Sequence, residues 1–556
     1  MFKSLEVDLS RWKIHEKNLS EEFRKFLGGR GVAVKLMIEL VEPKVEPLSP
    51  ENKLIFSTGA LINSRIPMSG RSNTTSISPL TNTIFSSNVG GMLGHCLSST
   101  GYDVLVIHGQ ATEPLYLTIG EKSSLHPARD VWSKDVFETT DYLVEKHGVA
   151  EENIACIGLA GEHQNYFGNI MVQKHRAFGR GGLGAVMGYK KLKAIVFQGN
   201  KERQEPRFKD LSKRLREKIA NINTKLKTQG TSGVVNTANK NGAFPTRYFI
   251  TNEFEFADKI NGDVLESHKV KNGTCYSCPV ACKMITKSER YGIVTDGPEY
   301  ETIVFQGSNL GISDFEAIIK SNDLCDRYGL DTISSGNIMG AFIEACQKGK
   351  IDHSISWGEG EKVHELIERI AKNKEIGQEL QHGTNAFCKK YGIEAVTVKG
   401  LDVPGHDPRA LHGMALGYAT SNRGADHLYS TTYKDEYNHP QRQEIAGKAK
   451  LLIGNENRNA VLDSLGLCKF STSFYRDDDY LEIMAALLER EVNIKEFQSI
   501  GSKIVDMERS LNNKRGFDSS DDVLPDRVRV PNLEAELQEY YKLRDWTTDG
   551  KVNLRK

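Results

Sequence analysis

The first two hundred residues alternate short apolar runs with turn residues. Leu54-Ile55-Phe56-Ser57, Asp103-Val104-Leu105-Val106-Ile107-His108 and Ala194-Ile195-Val196-Phe197 are rich in β-branched residues and are separated by glycine, proline, serine and asparagine, a pattern that predicts strands. From Met1 to about Gly199 the chain reads as a mainly β domain. The period then changes. Leu211 to Leu226, Asp314 to Arg327 and Val363 to Lys372 carry apolar residues three and four apart, which predicts amphipathic helices. The charged stretch Asn200-Lys201-Glu202-Arg203-Gln204-Glu205-Pro206 separates the two regimes as a linker, and a further boundary falls near Leu401, at the turn cluster 404–408. The expected architecture is α+β: a β-rich base domain over 1–199, a mainly helical domain over 207–400 and a second over 401–556. No solenoid period or low-complexity segment interrupts it.

Composition narrows the functional classes. A chain of 556 residues has room for several domains and a large buried cofactor. With 38% hydrophobic and 26% charged residues it is neither collagenous, mucin-like nor broadly disordered. Its 73 basic residues balance 73 acidic ones, leaving no net field to hold a polyanion, so nucleic acid is not an expected partner. No run approaches the roughly 18 apolar residues of a membrane span, and the opening MFKSLEVDLSRWKIHEKN lacks the apolar core of a signal peptide. A cytoplasmic location is expected.

Nine cysteines are too few for a disulfide scaffold. Cys96, Cys156, Cys325, Cys346 and Cys388 stand singly and read as small buried hydrophobes. Cys275-Tyr-Ser-Cys278-Pro-Val-Ala-Cys282 instead gathers three thiols within eight residues, as a tight metal-binding loop does. Zinc ribbons usually pair two Cys-x-x-Cys knuckles, whereas three cysteines plus a distant fourth is a common iron–sulfur arrangement; a zinc staple is the alternative. Cys468 is the candidate fourth ligand because it ends a motif that occurs twice.

That motif is Asp326-Arg-Tyr-Gly329-Leu330-Asp331 and again Asp463-Ser-Leu-Gly466-Leu467-Cys468. A pair of helix C-caps accounts for the glycines but not for the aspartates, because a carboxylate in the last turn faces the negative end of the helix dipole. The adjacent N–H donors of a pterin edge would satisfy such carboxylates as a guanidinium does. A glycine-rich stretch, His175 to Gly188, contains a formal G-x-G-x-x-G. It does not read as a dinucleotide fingerprint, since a basic, polar run precedes it and a strand follows within ten residues. With Arg176 and Arg180 alongside, it reads either as a phosphate cradle or as a tight turn packed against a sheet.

Together these residues resemble the aldehyde:ferredoxin oxidoreductase family of tungstopterin enzymes, from Phe26-Leu-Gly-Gly-Arg-Gly31 to Tyr540-Tyr-Lys-Leu-Arg-Asp-Trp546. The most specific stretches are Arg176 to Gly188, the three-cysteine run, Gly297-Pro-Glu-Tyr-Glu301, the two Asp-x-x-Gly-Leu motifs and Leu416-Gly-Tyr-Ala-Thr-Ser-Asn-Arg-Gly424. The resemblance implies a tungsten (or molybdenum) bis-molybdopterin on an amino-terminal β base, closed over by two helical domains. It implies a [4Fe-4S] cluster on Cys275, Cys278, Cys282 and Cys468. Asp326, Gly329, Leu330, Asp331, Asp463, Gly466 and Leu467 would then contact the pterins, and Arg71 and Arg176 their phosphates. The backbone carbonyls of Asn88 and Ala177 would hold a Mg2+ bridging those phosphates, hard oxygen ligands being what magnesium requires. Four dithiolene sulfurs would satisfy a soft metal without any protein ligand.

The reaction so implied is aldehyde plus water to carboxylate, with electrons passing through the cluster to ferredoxin or an Fe-S electron-transfer subunit. Glu301 and His427 match the acidic and imidazole groups of the family's pocket, and both side chains are tunable toward neutral pH. In this reading Glu301 activates water and His427 hydrogen-bonds the aldehyde oxygen. The rivals are carboxylate or aromatic acyl-thioester reduction on the same cofactor, a non-catalytic Fe-S electron-transfer subunit, and a zinc-stapled binding module. One stretch departs from the family pattern. Where some members carry a Glu-x-x-His that binds an iron between two subunits, this chain has Lys320-Ser321-Asn322-Asp323. Lysine is a poor metal ligand, so any homodimer is expected to lack the bridging iron. Lys320 and Asp323 are expected to pair with each other, within one helix or across the interface.

Overall fold

The structure, a computed structural model, describes residues 3–203 and 205–553. Gln204 of the expected linker lies outside the described residues, as do residues 1–2 and 554–556 of the first and last expected domains. The amino-terminal domain holds two six-stranded mixed sheets. The first runs in the order Lys13–Asn18, Lys3–Asp8, Val104–His108, Leu54–Thr58, Ser72–Ile77, Ile84–Val89. The second runs Arg176–Phe178, Ile170–Val172, Ile154–Cys156, Leu192–Phe197, Leu115–Ile119, Ser124–Pro127. Each contains one parallel pair, Lys3–Asp8 with Val104–His108 and Leu192–Phe197 with Leu115–Ile119.

Strand periodicity explains why these runs are apolar throughout. Successive side chains point to opposite faces: Leu105 and Ile107 meet Leu117, Ile195 and Phe197 between the two sheets. Val104 and Val106 pack on the helix Gly29–Leu40 behind the first sheet. Ala194 and Val196 likewise face the helix Val136–His147 behind the second. The expected β domain is therefore a helix–sheet–sheet–helix sandwich. Two-sided burial hides the alternation that marks a one-sided strand.

The remainder is largely helical. The helix read over Leu211 to Leu226 stops early: it spans Lys209–Ala220, and a separate short turn follows at Lys225–Lys227. Asn221 closes the helix and the Thr224 side chain caps the turn, because short polar side chains compete for the backbone. Phe315–Tyr328 starts on an Asp314 cap, and Gly360–Ala371 packs in the same core. That core joins Ala160 and Phe167 of the sandwich to Phe305, Ile319 and Met339, and also to Leu411, Tyr418, Leu452 and Trp546 beyond position 401.

The Lys320–Asp323 pairing does not form. Asp323 is 2% exposed and its carboxylate takes Arg327 Nε at 2.9 Å, one turn along the helix; Arg327 in turn reaches Asp135 of the sandwich. A carboxylate sealed beneath an arginine of its own chain is not available to a lysine across an interface.

Candidate cofactor and active site

The two Asp-x-x-Gly-Leu motifs dock on the two sheets through matching contacts. Gly329 and Gly466 both cap their helices in the left-handed conformation, at φ 72° and 79°, as the C-cap reading requires. At the end of the second motif's helix, Ser464, Leu465 and Gly466 offer their carbonyls to the N–H groups of Ala60, Leu61 and Arg71 beside the first sheet. A Cβ on Gly59 would lie 2.2 Å from Gly466 Cα, so this contact is backbone on backbone. The first motif repeats the arrangement on the second sheet. Asn169 N–H donates to Gly329, Asp331 N–H donates to Phe167, and a Cβ on Gly158 would meet the Tyr328 carbonyl at 2.3 Å.

Each aspartate already has a nitrogen partner within the chain. Asp326 bonds His175 Nδ1 at 3.1 Å, and burial nonetheless raises its carboxyl to about 6. Asp463 lies 3.3 Å from Arg30 Nη1 and 2.7 Å from Lys469 Nζ. The lysine aims its aligned hydrogen bond at the Asn459 carbonyl, so Asp463 Oδ1 stays without a hydrogen bond. Asp331 caps the next helix through Ile333 N–H and takes Ser334 Oγ and Arg180 Nε. The dipole argument that these carboxylates need an outside partner is thus met in part by Arg30, Lys469, His175 and Arg180, to which the sequence reading gave no such role.

Arg180 is spent on structure, since its guanidinium also donates to the carbonyls of Ala425 and Asp402 and ties the glycine-rich turn to the helical region. The helix that turn opens runs only Leu183–Tyr189. A Cβ on Gly188 would lie 1.8 Å from the Gly161 carbonyl, which is a packing reason for the glycine. Arg176 is different. It faces Cys275, Asp296 and Glu299, burial opposing its charge and these acidic side chains favouring it, and its Nη2 has no partner. Its strand Arg176–Phe178 packs against Ile84–Val89, which carries Asn88.

All four cysteines of the predicted set share one neighbourhood. Cys468 N–H donates to Met68, Met68 N–H donates to Ser277, and Tyr276 N–H donates to Gly91, so the loop Cys275 to Cys282 and the second motif are laced to the same strand ends. Arg71 Nη2 sits 3.7 Å from Cys468 Sγ while its Nε has no partner. Burial, with the other cysteines adding, raises the Cys278 thiol to about 11. Among the described residues no three His, Cys, Asp or Glu side chains converge on a single metal ion. Of the single cysteines, Cys96, Cys156, Cys325 and Cys388 are buried as expected and Cys346 is only partly buried; burial lifts the Cys96 and Cys156 thiols to about 12 and about 11.

Gly297-Pro-Glu-Tyr-Glu301 points inward. Glu301, in the first turn of the helix Tyr300–Gln306, accepts Gly405 N–H on Oε2 at 2.8 Å. Its Oε1 lies 3.6 Å from His427 Nδ1 and 3.8 Å from His406 Nε2 with no hydrogen bond to either, and His427 Nδ1 is equally unpartnered. Burial raises the Glu301 carboxyl above the ordinary carboxylate range against the pull of His427. His427 is presented by a braced loop, in which Asp426 binds Arg423 at 2.6 Å and accepts Tyr429 N–H. Tyr300, Tyr418, Tyr433 and Tyr437 surround the group, their phenols held neutral chiefly by burial. Sequence reasoning missed His406 and Gly405, taking the turn cluster 404–408 for a domain boundary; a histidine between two turn-forming prolines was the available signal.

The family model for the aldehyde ferredoxin oxidoreductase N-terminal domain matches residues 4–199, and that for domains 2 and 3 matches residues 209–556. The chain is 37% identical to the tungsten-containing aldehyde ferredoxin oxidoreductases of Thermococcus kodakarensis and of Pyrococcus furiosus, over 99% of its length and 97% of each of theirs. It is 32% identical to the WOR-like subunit of the aliphatic sulfonate oxidoreductase of Pyrococcus furiosus, over 76% of this chain and 74% of that one. Among solved structures it shares its fold with the active-site complex BamBC of benzoyl coenzyme A reductase, at a TM-score of 0.86 and 22% identity over 99% of this chain and 95% of that chain. Matched along nearly its whole length, the chain is an oxidoreductase of the aldehyde ferredoxin oxidoreductase family.

Proposed function

We propose that the chain is a tungsten–pterin enzyme that oxidises an aldehyde with water to the carboxylic acid and delivers the electrons through a [4Fe-4S] cluster to a ferredoxin. The observation that carries the reading is Glu301 Oε1, a buried acceptor left unpartnered between two imidazoles. A buried polar atom without a partner costs on the order of 1–3 kcal/mol, which a substrate or water in that space would recover.

The residues fit the implied cofactor. Arg71 Nε and Arg176 Nη2 are buried donors without a hydrogen-bond partner, and the buried Asp463 carboxylate is paired with Arg30 and Lys469. Glu299, an exposed carboxylate, lies within the electrostatic reach of both arginines. Asp326, Asp331 and Asp463, with Gly329, Leu330, Gly466 and Leu467, would hold the pterins; Arg71 and Arg176 would hold the phosphates, and the Asn88 and Ala177 carbonyls a Mg2+. When bound, the sulfur-ligated metal supplies a two-electron acceptor. Cys275, Cys278, Cys282 and Cys468 would hold the cluster. Three cysteines in one loop with a distant fourth favour a cluster over a zinc knuckle.

Glu301 in its ionised form removes a proton from the attacking water. His427 orients the aldehyde oxygen and donates to it as negative charge grows there, a contribution of several kcal/mol in comparable sites. The tyrosines exclude bulk water. The test is metal analysis of the purified protein combined with aldehyde-dependent viologen reduction. About four irons and one tungsten per chain with turnover are expected; zinc alone, or loaded enzyme inert to every aldehyde, overturns the reading.

A further inference from the structure

The cysteine loop faces two ways. Cys275 adjoins Gly90 and Arg176, on the side assigned above to the cofactor, whereas Tyr276 and Ser277 line an open cleft of about 730 Å3 on the surface. Neighbouring Cα atoms are about 3.8 Å apart, so the cleft wall begins one residue from two of the predicted cluster ligands, Cys275 and Cys278. That wall is preformed. Tyr276 stacks on His95, with ring centroids 4.4 Å apart and planes 11° from parallel. Ser277 Oγ donates to the Arg65 carbonyl at 2.8 Å and accepts from Arg216 Nη2 at 3.1 Å.

A basic collar wraps this wall. It consists of residues 207–227, the helix Lys209–Ala220 and the turn Lys225–Lys227 among them. Ser212 Oγ donates to the same Arg65 carbonyl, Ile219 and Leu226 pack in one cluster with Cys278 and Cys282, and Asn272 Nδ2 joins the Lys227 and Ala281 carbonyls. The whole chain is neutral, with 73 basic and 73 acidic residues, yet this segment holds eight basic residues and two acidic ones. Carboxylates from elsewhere neutralise three of the eight: Glu205 and Glu489 pair with Arg207, Glu482 with Arg214 and Asp479 with Lys218. Among the described residues Lys209, Lys213, Arg216, Lys225 and Lys227 pair with no carboxylate, and stand against Asp210 and Glu217 alone. Within the cleft the charges balance, since Arg65 meets Glu202, Arg203 meets Asp103 and Lys201 faces Glu152. The excess therefore belongs to the helix and the turn. Folding does not require it of Lys213 and Lys225, which are exposed.

We propose that this collar is the docking face for an acidic electron-carrier protein, whose carboxylates meet Lys209, Lys213, Arg216 and Lys225 while its redox centre rests against Tyr276 and Ser277. The proposal rests on the reading above, in which electrons leave through the four cysteines to a ferredoxin. Each encounter moves one electron to an oxidised carrier, so two encounters remove the two electrons of one aldehyde, and no proton moves with them. A one-signed patch of this kind acts mainly on the rate of encounter, raising it by about 10- to 1,000-fold at low salt. Solvent-exposed ion pairs hold little binding energy, which lets the carrier leave after a single electron.

The test uses the loaded enzyme, an aldehyde and an isolated acidic [4Fe-4S] ferredoxin, with benzyl viologen, itself a cation, as the comparison acceptor. Wild-type kcat/KM for ferredoxin should fall about 10-fold as ionic strength rises from about 0.01 to about 0.3 M, because screening shortens the reach of surface charge. In Lys213→Glu/Lys225→Glu the ratio of ferredoxin to viologen kcat/KM should drop about 10-fold at low salt, and Glu217→Lys should raise it about 2-fold. A second readout needs no turnover. Carbodiimide joins a lysine amine to a carboxylate in contact with it, so it should cross-link ferredoxin to Lys213 or Lys225, as mapped by peptide mass spectrometry. A ratio unchanged in both variants, or cross-links confined to other faces, overturns the docking face. So does a wild type that reduces viologen with aldehyde but passes nothing to ferredoxin. A loaded wild type inert to every aldehyde instead overturns the functional reading, and the cross-link still decides the docking face. If the double variant loses iron, Glu217→Lys and the wild-type cross-link decide.

Discussion

At the scale of single residues, burial without full satisfaction marks the chemistry. Glu301 is pushed above the ordinary carboxylate range by burial, and the base must be ionised to act. The acid limb of kcat/KM should therefore lie at higher pH than for a free glutamate, with activity lost as pH falls through the raised value. A pH profile checks this, and Glu301→Gln should remove the limb together with turnover. Asp326 carries the same kind of conflict, with its carboxyl raised from 3.8 to about 6. The folded chain binds this proton more tightly than the unfolded one, so the cofactor-free chain should lose stability as pH rises between 3.8 and about 6. The loss is at most about 3 kcal/mol. Asp326→Asn should raise the Tm of that form at neutral pH and weaken pterin retention, measured by calorimetry and cofactor analysis. Cys468→Ser should reduce iron content and alter the cluster's EPR signal, since a hydroxyl lacks the thiolate's charge and softness. An unchanged signal would remove Cys468 from the ligand set.

At the scale of elements, one helix supplies its own control. Lys448–Leu465 contains Gly454, around which an added Cβ meets nothing within 4 Å, and ends at Gly466, where φ is +79° and the Cβ would lie 2.8 Å from Gly59 Cα. Gly454→Ala should stabilise the chain by about 0.5–1 kcal/mol, because glycine is entropically costly inside a helix. Gly466→Ala should destabilise it by about 1–2 kcal/mol from the left-handed backbone alone, with the clash against the first sheet added. Denaturant midpoints of the two variants should move in opposite directions. Gly329 and Gly466 could be assigned as caps from spacing, because a left-handed cap is a local requirement. Their second role, letting backbone touch backbone across domains, has no local signature.

At the scale of the whole molecule, Asp323 shows how a tertiary partner redirects a local expectation. Three-residue spacing brings Lys320 within reach, but Arg327 one turn on and Asp135 from the sandwich complete a better-enclosed network. With that carboxylate committed inside its own chain, assembly should not depend on a metal at this helix. Sedimentation with and without a chelator should give the same oligomeric state, and a dimer split by chelation would contradict this. Among the described residues no helix is long and apolar enough to cross a membrane.

The sequence by itself determined whatever depends on short-range pattern. Continuous apolar runs bounded by turn residues marked the strands at Leu54, Val104 and Ala194, and three- and four-residue spacing marked the helices at Phe315–Tyr328 and Gly360–Ala371; glycine caps and the three-cysteine loop were equally local. The motifs carried the family, confirmed by matches over residues 4–199 and 209–556. Tertiary structure decided where elements far apart in the chain meet: the two-sided burial that turns a β domain into a four-layer sandwich, Arg30 and Lys469 beside Asp463, and His406 beside Glu301. Those pairs are separated by 433, 6 and 105 positions, and even the shortest is settled by the turn after a helix. Side-chain chemistry is written residue by residue, but the partner that completes a buried charge is chosen by packing, which no single window of sequence contains.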